Sequence, residues 1–250
     1  MLDYIRITTA VPDVQVADTD YNTQEISNKI FAAEASGSDI VVFPELAITG
    51  YTCGDLFLQK TLLIKTLEAL SSIVMASRRY KSIIVVGAPL RLDGQLYNCA
   101  CIINGGKVLG IVPKTFVPNY NEFSEKRWFS SASSLGIKSV KASELELYYA
   151  ADYEIPVGVD LLFTVNNEVS FGVEIGEDLW SPLPPSTLLA LKGAELVINI
   201  SASNEIVTRK NSRRQLIKQQ SASMLGAYVY VSAGVGESTT DLVFSGYSCI

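Results

Sequence analysis

Residues 39–46 read Asp39-Ile40-Val41-Val42-Phe43-Pro44-Glu45-Leu46, a continuous apolar run that a proline closes and a carboxylate follows. Successive side chains of a strand point to opposite faces, so an unbroken apolar run implies a strand covered on both sides. Runs of the same kind recur at residues 82–88 and 195–200. Helical spacing fills the intervals. Ile26, Ile30 and Ala33 predict a helix over 20–36 with Gly37 as its C-cap, and Leu56, Leu63, Leu67, Leu70 and Val74 predict one long helix over 55–79. Asn104-Gly105-Gly106 predicts a hairpin turn between strands 96–103 and 107–113. Further strands are expected at 4–11, 160–164, 169–175, 227–233 and from 242 onward, and helices at 184–192 and 212–226. Residues 116–149, with aromatics and serines but no period, read as loop.

Buried strands alternating with helices predict an α/β fold in which helices cover the outer faces of sheets, and the hairpins exclude a purely parallel, doubly wound sheet. A chain of 250 residues without linker, repeat or low-complexity tract is expected to form one domain, 1–250. The strand pattern still running at Ile250 suggests a piece of a longer polypeptide.

Composition narrows the function. A net charge of −6 argues against a nucleic-acid partner, which needs clustered Lys and Arg. The one basic run, Arg209 to Arg214, reads equally as a solvated helix start. Nothing at the N-terminus resembles a secretory signal, and no apolar stretch is long enough to span a bilayer. Cys53, Cys99, Cys101 and Cys249 fit no metal-ligand spacing, so a reducing, cytoplasmic setting without a bound metal is expected. Histidine is absent, which removes Ser-His-Asp and Cys-His mechanisms and most catalytic zinc sites.

Chemistry is expected where apolar strands run out, since side chains at strand ends can converge on one crevice. Residues 40–43 end in Pro44-Glu45, residues 107–112 in Pro113-Lys114, and residues 169–175 in Gly176-Glu177-Asp178-Leu179-Trp180. An ammonium beside a carboxylate keeps it ionised, and an ionised carboxylate can take a proton from a nucleophile. Alone, Glu45 reads as a cap or surface acid and Lys114 as a solvated cation.

Together, Phe43-Pro44-Glu45-Leu46, Pro113-Lys114 and the segment from Gly172 to Trp180 resemble the three signature segments of the nitrilase superfamily, in order and spacing, over nearly the whole chain. The finer resemblance is to the glutaminase domain of glutamine-dependent NAD synthetases. It is carried by Glu45-Leu46-Ala47-Ile48-Thr49-Gly50-Tyr51, Lys114-Thr115-Phe116-Val117-Pro118-Asn119-Tyr120, Phe123 to Phe129, Pro182 with Pro184-Pro185-Ser186, and Asn199 to Ser203. The resemblance implies a nitrilase-like α-β-β-α sandwich and a Glu-Lys-Cys triad. Glu45 would be the general base, and Lys114 with the N–H of Glu177 would stabilise the oxyanion. A cysteine at position 176 would attack the glutamine amide. Tyr120, Phe123, Glu177, Ser203 and Arg209 would hold L-glutamine, with Glu177 and Arg209 facing its ammonium and carboxylate. No cofactor is implied for this domain; ATP and magnesium would belong to an absent C-terminal synthetase domain, the expected partner, that amidates deamido-NAD. Homo-oligomerisation is also implied.

The departure is Gly176, which has no side chain. Cys53, in the first loop, would approach from the wrong strand end. Two accounts stand: a replacement made in a cysteine enzyme, which the retained Glu45, Lys114, Glu177 and Arg209 favour, or a natural non-catalytic chain. Either way the chain as written is expected to be inactive. A stand-alone amidase or carbamoylase and a glutamine-binding module remain as alternatives.

Overall fold

The computed structural model describes residues 4–147, 152–166 and 168–250. Strands β1 (Ile7–Thr9), β2 (Ile40–Val42), β3 (Ile83–Leu92), β4 (Gln95–Asn104) and β5 (Lys107–Pro113) form one sheet in that spatial order. Strands β8 (Phe163–Val165), β9 (Val169–Ile175), β10 (Leu196–Ser201), β11 (Ala227–Ser232) and β12 (Ser248–Cys249) form a second, ordered β12-β11-β10-β9-β8. A two-stranded ribbon pairs β6 (Ser139–Lys141) with β7 (Glu154–Pro156). Each large sheet has three parallel strands with antiparallel additions at the edges. The helices are α1 (Thr19–Ala35), α2 (Lys60–Ala76), α3 (Pro185–Leu191) and α4 (Arg209–Met224). No helix among the described residues is long and apolar enough to cross a membrane.

The period of two sorts the strand residues into layers. Ile40 and Val42 of β2 and Val85 of β3 pack against Phe171, Val173, Ile198, Ile200, Val229 and Val231, so the two sheets share one inner core. The alternate residues Val41, Phe43, Ile84 and Val86 meet Ile26 and Ile30 of α1 and Leu70, Ile73 and Val74 of α2. On the far side Val197, Tyr228 and Tyr230 meet Leu189 of α3 and Ile217 of α4. The result is a helix-sheet-sheet-helix sandwich, and the unbroken apolar runs are explained by cover on both faces.

Several expected boundaries move. The long helix over 55–79 is a 3-10 turn at Gly54–Leu58, an extended Gln59, α2 and a second 3-10 turn at Ser77–Arg79. The chain bends because Phe57 belongs to a cluster with Phe129 and Trp128, whereas Leu70, Ile73 and Val74 serve the sheet, and one straight helix cannot face both. Leu56 is exposed rather than on the core side. The strand expected from 242 onward is confined to β12, and 4–11 shrinks to β1. Residues 116–149 contain β6 and short 3-10 turns; positions 148 and 149 lie outside the described residues. Helix α4 starts at Arg209, three positions before the expected 212, after Thr208 in the left-handed region.

Gly87 of β3 is where backbone meets backbone. A Cβ there would lie 2.2 Å from Leu46 N and 2.7 Å from Pro44 O. No rotamer relieves that overlap, so Gly87→Ala is expected to push the Pro44–Leu46 segment off the strand and to destabilise by about 2–3 kcal/mol, on the scale of core overpacking. A urea midpoint equal to that of the parent would remove Gly87 from this role.

Candidate active site

Strands β2, β5, β9 and β10 all end at the same edge of the sandwich, and the residues just beyond them meet. Pro44 has no N–H to extend the ladder, so the chain leaves β2 and turns Glu45 toward the second sheet. There the N–H of Ala202, just past β10, donates to Glu45 Oε2 at 2.9 Å. Lys114, just past β5, donates from Nζ to Glu45 Oε1 at 2.6 Å and to Glu125 Oε1 at 2.7 Å. Asn98 Nδ2 donates to Glu45 Oε1 at 2.6 Å, and the Tyr51 hydroxyl donates to Glu125 Oε1 at 2.7 Å. Glu45, Lys114 and Glu125 are all buried.

Two carboxylates share one ammonium here. Burial lowers the pKa of Lys114, but attraction to Glu125 and Glu45 outweighs it, and the net direction is up: Lys114 is a permanent cation. Burial pushes Glu45 up to about 7, against the pull of Lys114 and with the help of repulsion from Glu125. Glu45 can therefore both give and take a proton near neutrality, as a general base must.

Gly176 follows β9 with φ +49°, in the left-handed region where a side chain is uncommon. A Cβ placed on it falls 2.6 Å from Glu45 Oε2 and 3.4 Å from Lys114 Nζ. Any side chain at 176 thus points at the carboxylate and the ammonium together. Asn199 of β10 brackets the same residue, accepting from Gly176 N at 3.2 Å and donating to Gly176 O at 3.4 Å. The N–H of Glu177 sits in the first turn of the Gly176–Trp180 3-10 segment, where backbone donors face outward.

Phe123, Glu177, Ser203 and Arg209 line one small cavity with Glu45, Lys114 and Gly176. Tyr120 stands at its mouth, where its hydroxyl donates to Glu177 Oε1. Burial raises the Glu177 carboxyl, opposed by that hydrogen bond. Arg209 opens α4, stacks on Trp180 at 4.9 Å and lies 4.0 Å from Glu122, so it is not a freely solvated cation. Ser203 is placed by its N–H on Ser232 Oγ and by Arg213, which donates to its hydroxyl at 3.2 Å. Glu125 Oε2 and Arg209 Nε are buried without a hydrogen-bond partner among the described residues. The cavity measures about 10 Å³, and a groove of about 1030 Å³ lies outside it, sharing Pro118, Glu177 and Trp180 as walls and lined also by Tyr120. Cys53 is not among these groups. Its thiol donates to the carbonyls of Thr49 and Gly50, and burial pushes its pKa up to about 12, which leaves it unreactive.

Sequence reasoning does not find Glu125, Tyr51 or Asn98. The available signal for Glu125 is a carboxylate between Phe123 and Trp128, where an apolar setting demands a partner. Nothing local marks Asn98, which lies within an apolar strand.

Buried acids make stability depend on pH. Burial raises Glu45 and Glu237 to about 7. Each folded-state pKa lies above the unfolded one, so between them the folded chain binds more protons and stability falls as pH rises. From pH 5 to pH 8 the unfolding free energy is expected to drop by at least about 1 kcal/mol, given up to about 1.4 kcal/mol per pH unit per group. A urea midpoint that rises over this interval contradicts the assignment.

A family model described as carbon-nitrogen hydrolase matches residues 7–250. The chain is similar to the glutamine-dependent NAD(+) synthetase of Mycobacterium tuberculosis, 36% identical over 249 residues, covering 99% of this chain and 35% of that protein. The solved glutamine-dependent NAD(+) synthetase from Cytophaga hutchinsonii matches with a TM-score of 0.79 at 28% identity, over 98% of this chain and 38% of that one. An amidase from Nesterenkonia sp. shares the fold, with a TM-score of 0.76 at 17% identity over 98% and 81% of the two chains. The chain therefore spans little more than a third of the length of the curated relatives it matches.

Proposed function

The chain belongs to the carbon-nitrogen hydrolase family, whose members are enzymes, and from that premise we propose that its site is built to hydrolyse the side-chain amide of glutamine, with Gly176 in the nucleophile's place. The observation that carries this is the direction of a side chain at 176, toward Glu45 Oε2 and Lys114 Nζ at once. With a cysteine there, Glu45 takes the thiol proton and sulfur bonds to the amide carbon. Lys114 and the N–H of Glu177 face the resulting oxyanion. Collapse of the tetrahedral intermediate breaks the C–N bond, Glu45 returns the proton to the departing nitrogen, and ammonia leaves. Water then gives a proton to Glu45 and attacks the thioester carbon, the C–S bond breaks to release glutamate, and Glu45 returns the proton to the sulfur.

The cavity supports an amino-acid ligand. Glu177 offers a carboxylate to an α-ammonium, while Arg209 and Ser203 offer donors to an α-carboxylate. A volume of about 10 Å³ holds roughly one water, so the ligand displaces the Tyr120–Glu177 contact on its way in. The chain is similar to glutamine-dependent NAD(+) synthetases, and in this reading the ammonia would serve an ATP- and magnesium-dependent domain that amidates deamido-NAD to NAD. That domain, L-glutamine and self-association are the partners in this reading. With glycine at 176 the chain binds without turnover.

Gly176→Cys with glutamine, and glutamate release as readout, tests the reading. The tightness of the cavity favours a second one, hydrolysis of small aliphatic amides. A panel of glutamine, acetamide and butyramide on the same variant separates them: preference for the simple amides overturns the glutamine assignment.

A further inference from the structure

Asp178 follows the nucleophile position by two residues and is buried. Its carboxylate is spent on backbone N–H groups of two different loops. Oδ2 accepts from Ile175 N at 3.0 Å, at the end of β9. Oδ1 accepts from Phe116 N at 2.7 Å and from Thr115 N at 3.2 Å, in the loop that begins with Lys114. The first bond is the one the third residue of a short turn makes back to the N–H at its N-cap. The other two are surplus to capping, and they cross from the end of one sheet to the end of the other.

Those are the two loops whose separation the chemistry depends on. Lys114 hangs from the first: its N–H is held by Asn98 O at 2.8 Å, its carbonyl accepts from Ala132 N at 2.9 Å, and its continuation is held by Asp178. Position 176 hangs from the second, one residue beyond the amide that Asp178 also holds. A single rigid carboxylate therefore ties the loop carrying the ammonium to the strand end carrying the nucleophile position. The geometry points to Asp178 as a positioning residue that sets the distance between the Lys114 ammonium and the side chain at 176. The inference deepens the amide-hydrolase reading and rests on it for its kinetic arm, but not for its chemical one.

Serine at 178 separates capping from positioning. It keeps one hydroxyl acceptor at this third position of the turn, and that single oxygen can serve Ile175 N or the Lys114 loop, not both. In the Gly176→Cys background, Asp178→Ser is expected to lower kcat at least tenfold with KM within about threefold. A displacement near 1 Å at the reacting groups costs that much and more. The second readout needs no turnover: the pH dependence of iodoacetamide labelling of the thiol at 176, resolved by peptide mass. That thiol faces Glu45 from the loop after β2, Lys114 from the loop after β5, Glu125 and Tyr51 behind them, Glu177 on its own turn and Arg209 from α4. With Lys114 no longer held close, the labelling midpoint is expected to rise by about one pH unit. Asp178→Asn keeps one acceptor for Phe116 N and is expected to fall between parent and serine variant on both readouts; it decides the matter if the serine variant does not fold. A midpoint within about 0.3 pH unit and a kcat within twofold of the parent, with only the melting temperature lowered, reduce Asp178 to a cap and overturn the proposal. A shifted midpoint without any glutamine hydrolysis by the Gly176→Cys parent supports the positioning role while sinking the glutamine reading.

Discussion

Gly176→Cys is expected to raise glutamate release from glutamine at least about 1000-fold over the chain as it stands, since a covalent nucleophile in a comparable triad accounts for several orders of magnitude in kcat. The substitution carries a structural cost. Residue 176 has φ +49°, where a side chain costs roughly 1–2 kcal/mol, and its Cβ comes within 2.6 Å of Glu45 Oε2. What must yield is a carboxylate end rather than backbone, so the carboxylate retreats and the fold survives. The variant is therefore expected to melt a few degrees below the parent while gaining activity. Its kcat/KM should fall as pH drops below about 7, because Glu45 acts only when ionised and burial raises it to that value. Correctly folded variant protein that releases no glutamate at pH 8 would sink the amide-hydrolase reading.

The second large effect concerns the chain as it is. Lys114→Met is expected to destabilise by about 3–5 kcal/mol at pH 8, the scale for removing one partner of a buried ion pair. Glu45 and Glu125 would be left 1% and 2% exposed with no counter-ion. Burial already raises Glu45 to about 7, and without its ammonium Glu45 escapes only by taking up a proton, so the loss should shrink toward pH 5, opposite to a simple packing defect. Adding Glu45→Gln to Lys114→Met is expected to return part of the lost stability, since it removes one of the stranded charges. Urea unfolding at pH 5 and pH 8 measures all of this. A loss of equal size at both values would mean that Lys114 contributes its methylenes and not its charge.

Much of the frame was legible because it is written in local chemistry. The run Ile40 to Phe43 can only be a strand covered on both faces, and Pro44 can only end it. Ile26, Ile30 and Ala33 repeat at the spacing of a buried helix face, and Asn104-Gly105-Gly106 supplies the positive φ values of a tight turn. The helix over 55–79 was not legible: every residue in it has the right spacing, and only the competing demands of Phe57 and Leu70 on two different clusters show that Gln59 must be extended.

The same division holds for the site. Strand ends singled out Glu45, Lys114 and the segment after residue 175 as places for chemistry, the lack of histidine removed histidine-based mechanisms, and the resemblance to the nitrilase superfamily implied that Glu45, Lys114 and position 176 come together. Only the tertiary structure decided that Lys114 answers to two carboxylates, that Asn98 and Tyr51 hold them, and that Asp178 joins the two loops. A strand-ending residue announces itself in its neighbours, but a partner such as Glu125, 80 positions from Glu45 in sequence and on the same ammonium in space, is chosen by how two sheets pack. Packing is a property of the whole chain at once, which no short stretch of it can record.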